Sequence, residues 1–157
     1  MRFGAKPLFF GALFQLLLTL GCRTGPPAAP VDLSQPGWHL RQGQALWRSK
    51  QQAPEIAGEI VLATNRNARA FVEFLKNPLP LLSAEISPGG WHIDFIPEKR
   101  SFSGRGKPPK RLLWLQLLQA LQDVPPPAAV EFKKRVEGEF HIENTRTGES
   151  ITLLLNE

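Results

Sequence analysis

Pro108-Pro109-Lys110-Arg111-Leu112-Leu113-Trp114-Leu115-Gln116-Leu117-Leu118-Gln119-Ala120-Leu121-Gln122, with Pro125-Pro126-Pro127 just beyond it, is the stretch whose reading decides the fold. Leu, Gln and Ala are strong helix formers, and between Arg111 and Gln122 there is neither a β-branched residue nor a glycine. At about 100° per residue, Gln116, Gln119 and Gln122 fall on one narrow stripe, while leucines and Trp114 cover most of the remaining circumference. A surface helix needs only a modest apolar face, so this one is expected to be buried on more than one side. At 1.5 Å per residue it is roughly 18 Å long, too short to cross a bilayer. It is either an ordinary core helix or a plug against a concave sheet with room left for something apolar.

Working outward, the flanking segments read as strands. Trp38 to Lys50 sets Trp38, Leu40 and Leu46 among polar residues, with Gly43 as a bulge position. Glu55 to Thr64 and Arg69 to Lys76 form a hairpin around Asn65-Arg66-Asn67. Asn77-Pro78-Leu79-Pro80-Leu81-Leu82 is expected to be a loop, because two prolines exclude a central strand. Ser83 to Ile86 and Trp91 to Ile96 pair around Pro88-Gly89-Gly90, and Lys99 to Gly104 adds a short strand with Phe102 inward. After the helix come Glu131 to Val136, Glu139 to Asn144, a turn at Thr145 to Gly148, and Ser150 to Leu155. The fold class is α+β: a curved antiparallel meander, a half-open barrel of about 7–9 strands, with one main helix on its concave face. Ile60-Val61-Leu62, Phe71-Val72 and Leu153-Leu154-Leu155 are apolar on both faces. Either both sheet faces are covered, or one apolar surface awaits a ligand or partner.

Residues 1–21 read as an export leader. Arg2 and Lys6 form its charged start and Leu8 to Leu20 its apolar run. Leu18-Thr19-Leu20-Gly21-Cys22 then resembles the lipobox of bacterial lipoproteins, and Cys22 is the chain's single cysteine. The resemblance implies a diacylated thiol, cleavage before Cys22 and acylation of the new amino group. With several acyl chains at ~0.8 kcal/mol per buried CH₂, such an anchor is effectively permanent. Arg23 stands where an Asp would resemble the inner-membrane retention signal, so the expected address is the periplasmic face of the outer membrane. Residues 22–36 are too rich in proline for helix or sheet and read as a tether, with a reach of up to ~40 Å. Residues 37–157 are the folding domain.

Composition narrows the function classes. The formal charge of +5 falls to +3 once Arg2 and Lys6 leave with the leader, and the charges are interspersed, which argues against nucleic acid as a partner. His39, His92 and His141 are scattered over three strands, with no His or Cys at metal-ligand spacing, so neither a metal nor a cofactor is expected. No nucleophile elbow is present, and Asp94 and Glu98 are the nearest approach to a carboxylate pair; the chain is not expected to be an enzyme. The densest basic run, Ser103 to Arg111, lacks the glycine spacing of a phosphate loop. It is either a solvated entry to the helix or a loop that touches anionic headgroups or an acidic partner. Four cations at the positive end of a helix dipole are locally unfavourable and ask for an anion nearby.

From Gly58 to Leu155 the chain resembles the LolB family of outer-membrane lipoprotein receptors, related to the periplasmic carrier LolA. The likeness rests on the lipobox, the hairpin order, Leu75-Lys76-Asn77-Pro78-Leu79 before a Pro-Gly hairpin, and the Leu/Trp-rich helix after a polar loop. It implies a half-open barrel around a cavity for lipoprotein acyl chains, and a protruding leucine after the Asn-Pro pair, here Leu79. On that resemblance Leu79, Leu81 and Leu82 form the membrane or cargo loop. Trp114, Leu117, Leu118 and Leu121 on the helix, with Phe71, Phe74, Ile93 and Phe95 on the sheet, are expected to line the cavity. The implied partners are acylated lipoproteins, a LolA-like carrier and, through acylated Cys22, membrane lipid, for a protein acting as a monomer. The chain departs from the family in having room for one fewer hairpin after the helix, and one convincing helix. The competing expectation is a structural or adaptor lipoprotein with a solid core, recruiting a partner at a sheet edge.

Overall fold

A computed structural model describes residues 31–136 and 138–156. The leader, Cys22 and most of the tether lie outside the described residues. Strands β1 (Trp38–Arg48), β2 (Ile56–Asn65), β3 (Arg69–Lys76), β4 (Leu79–Ser87), β5 (Gly90–Phe95) and β6 (Arg100–Gly104) precede helix α1 (Leu113–Ala120). Strands β7 (Val130–Lys134), β8 (Glu139–Asn144) and β9 (Glu149–Leu155) follow it. All pair antiparallel in one open sheet of order β6-β5-β4-β3-β2-β1-β9-β8-β7. The chain winds outward from β1 to one edge, crosses the concave face through α1, and returns from the other edge until β9 closes against β1. The expected α+β fold with one helix over a curved meander is what the chain adopts.

Strand alternation decides which side chains meet the helix. Ile60 and Leu62 on β2, Val72 and Phe74 on β3, Leu82 and Ala84 on β4, and Ile93 on β5 point inward. From the other half come Ile151 and Leu153 on β9 and Phe140 and Ile142 on β8. Leu113, Trp114, Leu115, Leu117 and Leu118 of α1 are all 1% exposed or less, as a helix apolar on most sides requires. Its polar stripe is covered by the segment that leads into it: Pro108 is buried, and Gln116, itself 3% exposed, donates from Nε2 to the Pro109 carbonyl at 3.2 Å. The helix is two residues shorter at each end than the propensity run, because Pro109 accepts from the Leu112 amide in a turn and Gln122 and Asp123 close a turn on Gln119 and Ala120.

Three details depart from the sequence expectations. Strand β4 starts at Leu79 rather than Ser83, with Pro80 inside it. Pro80 and Leu81 together stand opposite Leu75, a bulge at which proline's missing N–H breaks no ladder bond. Leu82 is consequently a core residue of β4, not part of a loop. Phe71 is the third: on β3 it alternates with Ala70, Val72 and Phe74, so it faces the convex side opposite Ala63 and Glu85 and cannot line a concave-side cavity.

One end of this sheet gathers the connections that matter below. The β1–β2, β3–β4 and β5–β6 turns lie there by the antiparallel order, as does the β8–β9 turn, which is tied to the first by the Gln51 amide on the Thr147 carbonyl at 3.0 Å. Gly58 lets the sheet bend tightly beside this end: a Cβ there would collide with the Leu75 carbonyl oxygen and the Phe74 ring.

Candidate functional site

At this rim the concave side opens into a cavity of about 370 Å³. Trp47, Phe95, Phe102 and Leu112 supply its apolar wall; Ser49, Glu98, Arg100, Arg111 and Glu149 supply its polar one. The wall is continuous with the core through a run of rings. Phe95 meets Phe102 edge-on at 6.3 Å and Trp47 at 6.5 Å, and Trp47 in turn meets Trp114 at 5.9 Å and Phe74 at 6.2 Å. Such ring pairs add specific geometry to their area burial and hold one another in place. The opening is therefore a stiff, aromatic pocket at the low end of the size range of small-molecule sites.

Its charges are arranged unevenly. Glu98 accepts from Arg100 at 3.3 Å, and the Arg100 guanidinium lies over the Phe102 ring at 5.2 Å. Glu149 accepts from Trp47 Nε1 at 3.2 Å, but burial outweighs that bond and pushes its carboxyl up to about 7. Arg111 is exposed and makes no ion pair with a described residue. It immediately precedes the helix N-cap, Leu112, whose side chain offers no capping bond, and the first turn of α1 carries no acid.

The β3–β4 tip stands on the same rim. Leu79 is 65% exposed, between the cis Asn77–Pro78 bond and Pro80. The tip is braced against the neighbouring turn by the Ile96 amide donating to the Leu81 carbonyl at 3.1 Å, and Ile96 is itself exposed. Leu81 is half-buried against the core. Of the residues expected to line a cavity under the helix, Phe74, Ile93, Trp114, Leu117 and Leu118 are fully buried core, packed with one another. Leu121, at the helix C-cap, and Phe95 are partly buried, and of these Phe95 reaches the rim cavity. The greasy interior is thus largely filled by side chains, and its open part lies at the mouth. Trp47 and Glu149 had no sequence signal as a pair, since 102 residues separate them.

The convex side carries a second groove, about 480 Å³, between Leu46, Ala57, Glu59, Lys76, Asn77, Thr152 and Leu154. Leu46 and Leu154 are exposed there, where the doubly apolar strands left their outward residues. Farther along that face His92 Nε2 lies 2.7 Å from Asp94 Oδ2, and Ser101 Oγ bonds Asp94 Oδ1. The carboxylate stands between hydroxyl and imidazole, so the ring cannot take the Ser101 proton directly. Asp94 is paired in this way and does not meet Glu98. Among the described residues no group of His, Cys, Asp and Glu is placed to hold a metal, and no helix is long and apolar enough to cross a membrane. No family model matches the chain, and no curated protein matches its sequence.

Proposed function

We propose that this is a lipid-anchored protein of the outer membrane, held through Cys22, which binds acyl chains at its rim and helps receive or insert other lipoproteins. It takes its cargo from a LolA-like periplasmic carrier, works as a monomer and uses no cofactor. One observation carries this: a leucine held out in solvent by flanking prolines shares a rim with an aromatic-walled opening. An exposed Leu stabilises nothing at home, but entering a bilayer or contacting an acyl chain recovers about 1.5–3 kcal/mol. That gain is small enough to be reversible, as handing a chain between protein and membrane requires. The filled interior argues for a site that takes one chain, or the end of one, rather than a whole multi-acyl anchor. The test is transfer of an acylated lipoprotein from a soluble carrier to vesicles bearing the anchored protein. Leu79→Glu should slow transfer at least tenfold; unchanged transfer in that variant refutes the proposal.

The convex groove favours a second reading, an adaptor that recruits a protein partner without binding lipid. It predicts the opposite pattern, in which charges at Leu46 and Leu154 abolish function and a charge at Leu79 does not.

A further inference from the structure

The rim cavity is apolar on one wall and carries two arginines and two carboxylates on the other, and one of the arginines, Arg111, has no carboxylate partner among the described residues. Of its two carboxylates, Glu98 is engaged by Arg100 at 3.3 Å and Glu149 by the Trp47 indole at 3.2 Å. Arg111 is left at the lip and makes no ion pair with a described residue. It stands at a helix start, where the dipole makes cations unfavourable and anions welcome. No described residue accepts from the amides of Leu113 or Trp114 at that start. A ring wall leading to unanswered positive charge is the complement of an alkyl chain with an oxyanion head. Charge-assisted bonds from a guanidinium to such a head are about twice as strong as neutral ones.

We infer that the rim cavity binds an anionic single-chain amphiphile, its chain against Trp47, Phe95 and Phe102 and its oxyanion head on Arg111 at the start of α1. The inference rests on the acyl-binding proposal for this opening and adds the chemistry of the head. Two sources present that chemistry, a fatty carboxylate and an alkyl phosphate of the lysophospholipid kind, and both fit the same lip.

Calorimetric titration of the mature protein with laurate, dodecyl phosphate and dodecyl maltoside, each below its micelle threshold, separates the alternatives. At least one anionic probe should bind tenfold or more tightly than the maltoside, and whichever is tighter identifies the source. Arg111→Gln, at an exposed position outside the core, should bring the anionic probes down to the maltoside's affinity without moving the maltoside itself. Phe102→Ala should weaken all three together. Equal affinity for all three heads overturns the inference while leaving acyl binding in place. Absence of binding by every dodecyl probe overturns both, and inorganic phosphate binding as tightly as dodecyl phosphate also overturns the inference, since the chain would then contribute nothing.

Discussion

Leu79 and Glu149 occupy the same rim and represent opposite kinds of cost. Leu79 is exposed, so replacing it should leave stability within ~0.5 kcal/mol, as at other surface positions. Leu79→Glu is therefore expected to melt like the parent while losing transfer; a clear drop in melting temperature would mark the residue as structural. Glu149 is raised from an ordinary 4.5 to about 7 by burial. Between those values the folded chain holds a proton that the unfolded chain has released, so stability falls as pH rises through that window and levels off above it. The loss is on the order of 3 kcal/mol. Glu149→Gln should flatten denaturant-midpoint curves between pH 5 and 8, with its largest gain over the parent at the upper end. A parent whose stability rises across that range contradicts this assignment. The Trp47–Glu149 bond joins residues far apart in sequence, so nothing local could announce it; neither residue is unusual for its strand.

At the scale of elements, the helix was legible because composition and bracketing prolines agreed, and β8 because Phe140 and Ile142 alternate with His141 and Glu143. The β3–β4 connection misled for a physical reason. Proline does exclude a regular ladder position, but a bulge supplies an irregular one, and bulges leave no reliable sequence mark. Phe71 was legible all along: it is three residues from Phe74, and an odd spacing along a strand puts two side chains on opposite faces. The packing of α1 gives the element-scale prediction. Trp114 is 1% exposed and in contact with the rings of Phe74 and Trp47 at 5.3 and 5.9 Å. Trp114→Ala should cost about 3–5 kcal/mol in chemical denaturation, by lost transfer energy and the cavity left behind. A cost near 1 kcal/mol would mean that the helix sits loosely and that the interior is more open than its burial indicates. Gly58→Val should likewise destabilise, by roughly 1–3 kcal/mol, because backbone and ring already fill the space of its missing Cβ.

For the molecule as a whole, the sheet is open, α1 and its connections carry the chain from one edge to the other, and apolar surface is left over on both sides. Doubly apolar strands announced that surplus in the sequence but could not say where it would fall. Two openings share part of it, the concave rim and the convex groove beneath Leu46 and Leu154. The acyl-binding proposal turns on whether the rim, rather than the groove, takes hydrocarbon, since both are within the size range of ligand sites. The rim has the stiffer walls, the exposed leucine and the unpaired Arg111; the groove has the larger volume. Amide NMR with a nitroxide-labelled fatty acid distinguishes them directly, because the label broadens only nearby resonances. Selective broadening of Phe102, Leu112 and Glu149 is the predicted result. Broadening confined to Leu46, Ala57 and Leu154, or no selective broadening at all, would contradict acyl binding at the rim.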